Sequence, residues 1–434
     1  MTQQRRMKLV AYLKTGPTAN HAGGWRHPGA DLHDILDPAR YEHLARVLEA
    51  ACFDGCFFAD AFGIPDIHRG SFRPYVELGG QISYLDPMLV LPLMARVTRH
   101  LGLGATLSTT FHPPYLLARM LSTLDHLSGG RACWNIVTSA TEFEARNFGM
   151  TLPPKDQRYD QADEVLEACC ALWDCWAPDA LVLDAAAGRF ADADRIRYAD
   201  YAGRYVTTRG PLAMPRSPQG RPVFLQAGAS PRGRAFAARW AEAVFCASHG
   251  KAETLAFYAD MKARVAAAGR VPEDCAILPA LSVVLGETAA IAREKAAHLQ
   301  SLVNPDLTLA TNSTMLGADL SRHTTPEALA AAQGHQGIKG TEDRVLQLMK
   351  AEGISFAEAA SRPRGLVVGT AATVADHMED LFRDGGCDGF VLSPTVSPLM
   401  FEEFGRLVVP ELQRRGLFRS AYAGSTLREN LRER

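Results

Sequence analysis

The chain has 434 residues, 47% hydrophobic and 22% charged, with a formal net charge of −2. That balance is ordinary for a globular protein, and no Lys/Arg run offers a nucleic-acid or membrane footprint. No apolar stretch is long enough to span a bilayer, the N-terminal "MTQQRRMKLVAYLKTG" is too briefly apolar for a signal peptide, and the nine cysteines lack CxxC or zinc spacing, which predicts a reduced, cytoplasmic, metal-free protein.

In chain order, strand-like and helix-like segments alternate. "MKLVAYL" reads as a strand and "ARYEHLARVLEAA" as an amphipathic helix; "FDGCFFAD" is a buried strand ending on Asp60. "DPMLVLPLMARVT" is a helix capped by Asp86, with Pro87 in its first position. "LGLGATLSTT" is a strand, and the helix "PYLLARMLSTLDHLSGG" is stopped by Gly129 and Gly130. The strand "CWNIVTS" precedes "YDQADEVLEACCALWDCW", whose apolar spacing is helical. Then come "PVFLQAG" with "PRGRAFAARWA", "EAVFCA" with "AETLAFYADMKARVAAAG", and "CAILPALSVVLG" with "TAAIAREKAAHLQSL". "VVGTAATVADHMEDLFRDGG" leads into "CDGFVLSP", and "FEEFGRLVVPELQRRG" closes the series. About eight βα units with near-continuous apolar strands predict a closed (β/α)8 TIM barrel in one domain over residues 1–434. Residues 177–222 and 303–345 break the alternation: the first is expected to carry at most a short hairpin, the second to be an irregular lid over the barrel mouth that moves when ligand binds.

In a parallel barrel, ligands sit at the C-terminal strand ends. Those ends offer Asp60, then Ser108, Thr109 and Thr110, then Asn135 to Ser139, Gly228 to Ser230, and Ser393. They are mostly small neutral hydrogen-bonding groups, with no activated nucleophile, carboxylate pair or metal cluster among them. This pattern suits a large polar cofactor that brings its own reactivity. The turn "QAGASPRG" at the start of a helix makes an anion site suited to a phosphate, and it is not a Walker loop.

Four stretches, "RACWNIVTS…EARNFG", "QRYDQADEVLEACCALWD", "RGPLAMPRSPQGRPVFLQAGASPRGRAFAARWAEAVF" and "VVPELQRRGLFRSAYAGSTLRENL", resemble the bacterial-luciferase-like flavin monooxygenases, in particular the nitrilotriacetate and dibenzothiophene-sulfone subfamily. The resemblance implies a luciferase-like barrel using FMN as FMNH2, supplied by a separate NAD(P)H-dependent flavin reductase, with O2 as co-substrate. It implies oxygenation, often with C–S or C–N cleavage, and a homodimer or homotetramer. Carried over by motif, Asp60, Ser108, Thr109 and Thr110 line the isoalloxazine pocket, and Asn135, Thr138 and Ser139 bond the ring and ribityl chain. Tyr159 and the turn Gly228, Ala229, Ser230 hold the phosphate.

Two positions depart from the family pattern: Lys155 stands where relatives usually have His, and Ala229 where they usually have Ser. A gained cation and a lost hydroxyl can compensate at one phosphate; alternatively Lys155 points to solvent. For substrate, His21, His68, Arg69 and Arg73 near the mouth suit an anion, and Tyr12 or Trp25 an aromatic ring. The catalytic residues stay open. Alternatives are a deazaflavin-dependent hydride-transferring oxidoreductase, a lyase using Lys155 as a Schiff-base amine, and a non-catalytic flavin-binding protein.

Overall fold

The computed structural model describes residues 5–18, 20–228, 230–247, 250–322, 339–354, 359 and 365–433. Its strands are β1 (Lys8–Leu13), β2 (Gly55–Phe58), β3 (Gly102–Ser108), β4 (Ala132–Val137), β5 (Leu181–Asp184), β6 (Arg189–Ala191), β7 (Tyr201–Ala202) and β8 (Thr207–Thr208). They continue as β9 (Val223–Gln226), β10 (Ala243–Cys246), β11 (Ala276–Leu285), β12 (Leu366–Gly369) and β13 (Gly389–Leu392). Eight of them close a parallel barrel in the order β1-β2-β3-β4-β9-β10-β11-β13, because β13 pairs back onto β1 from Lys8↔Gly389 to Ala11↔Leu392. All eight expected barrel strands are present. Asp86 caps Pro87–Arg96 by accepting from the Met88 N–H at 2.8 Å, and Gly129 (φ 67) ends Pro114–Ser128, as their sequence signals predict.

Side chains alternate strictly between lumen and helices. Leu9, Ala11 and Leu13 join the helix-facing core, whereas Val10, Phe57, Cys133, Leu225, Leu278 and Val391 form a second cluster inside the barrel. That lumen cluster is closed from below by Leu427, on the C-terminal helix Leu427–Arg432. The buried Lys8 ammonium donates to the carbonyls of Asn430 (3.2 Å) and Glu433 (2.6 Å), pinning the same helix to β1. Among the described residues no helix is long and apolar enough to cross a membrane.

Three expectations need correction. Residues 177–222 hold two hairpins, β5–β6 and β7–β8, rather than at most one. The second is stitched by the Glu164 carboxylate, which accepts from the N–H groups of Arg204, Tyr205 and Val206. The 303–345 segment is not irregular at its start: Pro305–Leu316 is a helix capped by Asn304 and ended by Gly317 (φ 69). Its hydroxyl-rich sequence hid it, since Ser313 and Thr314 donate back to the carbonyls of Leu309 (2.7 Å) and Ala310 (3.1 Å), satisfying themselves within the helix. Residues 323–338 of the expected lid lie outside the described residues. Finally β12, read only as the approach to a helix, is a strand parallel to the far end of β11, from Ser282↔Leu366 to Leu285↔Gly369.

One buried ion pair ties the closure together. Arg419 and Asp54 are both 0% exposed and meet at 2.7 Å, while the other Asp54 oxygen accepts the Leu9 N–H of β1 at 2.8 Å. Asp54→Ala leaves the buried Arg419 cation only the more distant Glu433 carboxylate at 3.5 Å and is expected to cost about 3–5 kcal/mol. Urea titration checks this: the midpoint of Asp54→Ala falls well below wild type, and Asp54→Leu with Arg419→Met recovers most of it.

Candidate active site

Towards the strand ends the lumen changes from apolar to polar. On β3 and β4 the inward positions are Thr106, Ser108 and Asn135, above Gly104 and Cys133. The Thr106 hydroxyl donates to the Phe58 carbonyl (2.8 Å), so it must accept from Asn135 Nδ2 (2.7 Å). This fixes the amide with Oδ1 buried and unpartnered, a costly state unless something donates to it. Close by, the Ser139 and Ser108 hydroxyls meet at 2.9 Å, and Ser139 is held in the left-handed region at φ 49. Strain of this kind concentrates at functional sites. Thr109 and Thr110 are committed elsewhere: their hydroxyls donate to the carbonyls of Val137 (3.2 Å) and Thr138 (2.7 Å), lacing the ends of β3 and β4 together.

A second polar corner lies outside the end of β9. Buried Tyr159, on helix Lys155–Trp173, bonds Ser230 and Gln226, and burial raises its phenol pKa. Ser230 caps helix Pro231–Trp240 by accepting the Gly233 N–H at 3.1 Å. A Cβ on Gly233 would lie 2.7 Å from the Tyr159 hydroxyl and 3.0 Å from the Gly228 Cα, so only glycine permits this close turn. Arg232 sits over the Tyr159 ring at 5.5 Å, but its charge is taken by Asp160 (2.9 Å) and Asp163 (2.6 Å). Lys155 opens the helix one turn before Tyr159 and is exposed to solvent. Ala229 lies outside the described residues.

Beside the expected Asp60, the mouth holds titratable groups that sequence reasoning missed: Lys14, Glu144 and His112. Lys14 continues the inward column of Val10 and Tyr12 just past β1; burial lowers its pKa, against the pull of Asp60 and Glu144. Burial raises the carboxyl pKa of both Asp60 and Glu144. Asp60 accepts the Ala61 N–H at 2.8 Å, while Glu144 accepts the Phe62 N–H at 3.1 Å and bonds Thr141. His112 donates from Nδ1 to the Ser108 carbonyl at 3.0 Å, and burial lowers its pKa. The period-two register alone points Lys14 inward; no comparable signal marks Glu144 or His112.

The expected substrate residues scatter. Arg69 is bound to Asp306 at 2.9 Å, Arg73 is exposed and paired with Glu77 at 2.7 Å, and buried His68 lies 3.2 Å from Asp306 and 3.5 Å from Asp319. Arg69 and His68 are held by Asp306 on helix Pro305–Leu316 and Arg73 by Glu77 within its own turn, so the three form no joint anion site. Trp25 packs on Gly79 and donates to the Leu78 carbonyl at 2.9 Å. Tyr12 meets Phe57 edge-on at 5.6 Å, and burial raises its pKa. His21 does face the mouth, and burial lowers its pKa to about 4.

These features fit FMN: an orphaned acceptor for a ring N–H, hydroxyls along the β3 and β4 ends, and a glycine-floored helix N-terminus for phosphate. Residues 17–389 match the family described as luciferase-like monooxygenase. The chain is 44% identical to dibenzothiophene-sulfone monooxygenase of Rhodococcus erythropolis, over 99% of this chain and 97% of that one. It is 37% identical to nitrilotriacetate monooxygenase component A of Aminobacter aminovorans, over 95% and 93%. The crystal structure of DmoA from Hyphomicrobium sulfonivorans superposes with a TM-score of 0.89 at 33% identity, covering 98% of this chain and 92% of that one.

His21 makes the site acid-sensitive. Its folded pKa, about 4, lies below the ordinary 6.5, so the unfolded chain takes up the proton first as pH falls. Stability is therefore lost from about pH 6.5 down to about pH 4, and not further for this group. His21→Gln should remove that loss. Urea midpoints at about pH 7 and about pH 4.5 should fall further in wild type than in the variant; equal falls would show that His21 is not buried as a neutral ring.

Proposed function

The chain belongs to the luciferase-like monooxygenases, and from that membership we propose a two-component, FMNH2-dependent enzyme. A separate NAD(P)H-dependent flavin reductase supplies the reduced FMN, and a small organosulfur or organonitrogen compound is oxygenated. One atom of O2 enters the substrate, the other leaves as water, and FMNH2 becomes FMN. Bound reduced flavin supplies the two electrons that activate O2; the protein supplies position, dryness and protons.

The observation that carries the reading is the buried, unpartnered Asn135 Oδ1. In the proposal it accepts a ring N–H, with Ser108 and Ser139 beside it on the polar strand ends. Tyr159, Ser230 and the first N–H groups of helix Pro231–Trp240 hold the phosphate. Lys14, Asp60 and Glu144, each shifted towards neutrality, are the groups able to hold or release a proton in the mouth. The nitrilotriacetate relative is itself a component A, which supports a separate reductase.

The deciding experiment supplies FMN, NADH and a borrowed flavin reductase under labelled oxygen. Label should appear in a product from an organosulfur or organonitrogen compound. Hydride transfer without oxygen uptake would favour the deazaflavin alternative, and flavin binding without product the non-catalytic one. The purified protein should be nearly colourless and prefer reduced to oxidised FMN; a stoichiometric yellow protein reduced directly by NADH would sink the two-component reading.

The phosphate corner can be tested separately. Tyr159→Phe and Ser230→Ala should each weaken reduced FMN by about tenfold, the worth of one hydrogen bond, and leave reduced riboflavin almost unchanged. Lys155→Ala should show the same selectivity, and added salt should weaken wild type more than this variant. Equal effects of Lys155→Ala on FMN and riboflavin, or none, would leave the phosphate to Tyr159, Ser230 and the helix.

A further inference from the structure

The flavin corner occupies the ends of β3, β4 and β9. Across the same mouth, at the ends of β11 and β13 and the loop after β1, lies a cavity of about 160 Å³. Helix Pro305–Leu316 forms one of its walls through Leu307, Thr311 and Met315. None of the flavin-side residues named above lines it.

Its chemistry is specific in two respects. First, among the described residues no Asp, Glu, Lys or Arg side chain lines it; the polar groups are Thr, Asn, Ser, Gln and His21. The nearby arginines are committed, Arg69 to Asp306 and Arg73 to Glu77. A charged ligand entering here loses hydration and meets no counter-charge in the lining formed by the described residues. Second, most of the polar lining is internally satisfied. Asn20 donates to Ser282 (3.0 Å), Ser282 to the Ser393 carbonyl (2.8 Å), and Thr18 to the Gly79 carbonyl (2.6 Å).

His21 is different. Its Nδ1 accepts the Gly23 N–H at 3.2 Å, so the neutral ring carries its proton on Nε2. That Nε2–H has no hydrogen-bond partner among the described residues, and the His21 ring is part of the cavity wall. One directed donor in a neutral chamber orients an acceptor atom. A space of this size is comparable to the roughly 150 Å³ that holds one benzene ring.

We propose that this cavity is the substrate site and takes an uncharged molecule of about one ring's size, oriented by an oxygen that accepts the His21 Nε2–H. For its role in turnover this rests on the flavin monooxygenase reading; for its binding preference it rests on the cavity alone. Sulfonyl, sulfinyl and carbonyl oxygens all supply the acceptor. A lining of this kind disfavours a polycarboxylate of the nitrilotriacetate kind, and a fused three-ring sulfone extends beyond a space of this size.

A matched pair tests this. Methyl phenyl sulfone and benzenesulfonate share ring and sulfonyl group and differ in charge. Binding is measured by calorimetry on the flavin-free protein, and again anaerobically with reduced FMN. The uncharged sulfone should bind at least about tenfold more tightly in one or both states. His21→Ala should weaken the sulfone several-fold, and His21→Gln, which keeps an N–H donor, should retain most of its affinity. Gln300→Arg places a cation at the exposed rim and should narrow or reverse the preference. Equal or tighter benzenesulfonate binding, no sulfone binding in either state, or sulfone affinity untouched in His21→Ala overturns the proposal. If the binding preference holds but no labelled oxygen enters any product, the monooxygenase reading fails and the uncharged site stands. If oxygenation favours anions, the site assignment fails and the monooxygenase reading stands.

Discussion

The closed parallel barrel allows each strand residue only two directions, lumen or helix, and the rest of the structure follows from that constraint. A strand buried on both faces must be apolar along its length. Val10, Phe57, Cys133, Leu225 and Leu278 obey this inside, as do Leu9, Phe58, Trp134 and Ile136 outside. Near the strand ends, where the lumen opens, inward residues can be polar provided that each polar atom finds a partner. There the inward positions become Thr106, Ser108 and Asn135 on one side and Ser282 and Ser393 on the other. The Asn135 amide in "WNIVTS" is the same alternation continued into the mouth.

Closure also divides that mouth. The β3, β4 and β9 side carries the hydroxyls, amide and helix N-terminus that the proposed function assigns to the flavin, with the Lys14, Asp60 and Glu144 cluster beside it. The β11 and β13 side is neutral and mostly self-satisfied. An enzyme that must keep a reactive cofactor dry while admitting varied small molecules benefits from this separation. Under the proposed assignment, changes on the neutral side alter which molecule enters without disturbing the groups on the flavin side.

Much of this was legible in the sequence, and the failures share a cause. The eight barrel strands, the Asp86 cap and the Gly129 stop are local signals, written in contiguous residues. So is the turn at Gly228, whose glycine is demanded by contact with Gly233. Helix Pro305–Leu316 was misread because Ser313 and Thr314 look like loop residues until their bonds to Leu309 and Ala310 are seen. Arg69 looked available because Asp306 lies far away in sequence and only tertiary structure brings the two within 2.9 Å. The orphaned Oδ1 of Asn135 is likewise invisible without Thr106 and Phe58. Charge pairing and amide orientation are long-range properties, whereas strand, cap and turn are not.

The pairing of β1 with β13, and the plug supplied by Leu427, set an order on biosynthesis. β1 leaves the ribosome long before β13 and waits for it before its outer edge is paired. At about 5–20 residues per second that interval runs to roughly 20–80 s. During it the nascent sheet carries an open β1 edge and a lumen without a floor, a template for pairing with other chains. A chaperone that holds the growing half-barrel therefore protects a surface that the finished protein never shows, and the Asp54–Arg419 pair is the latch that ends its need.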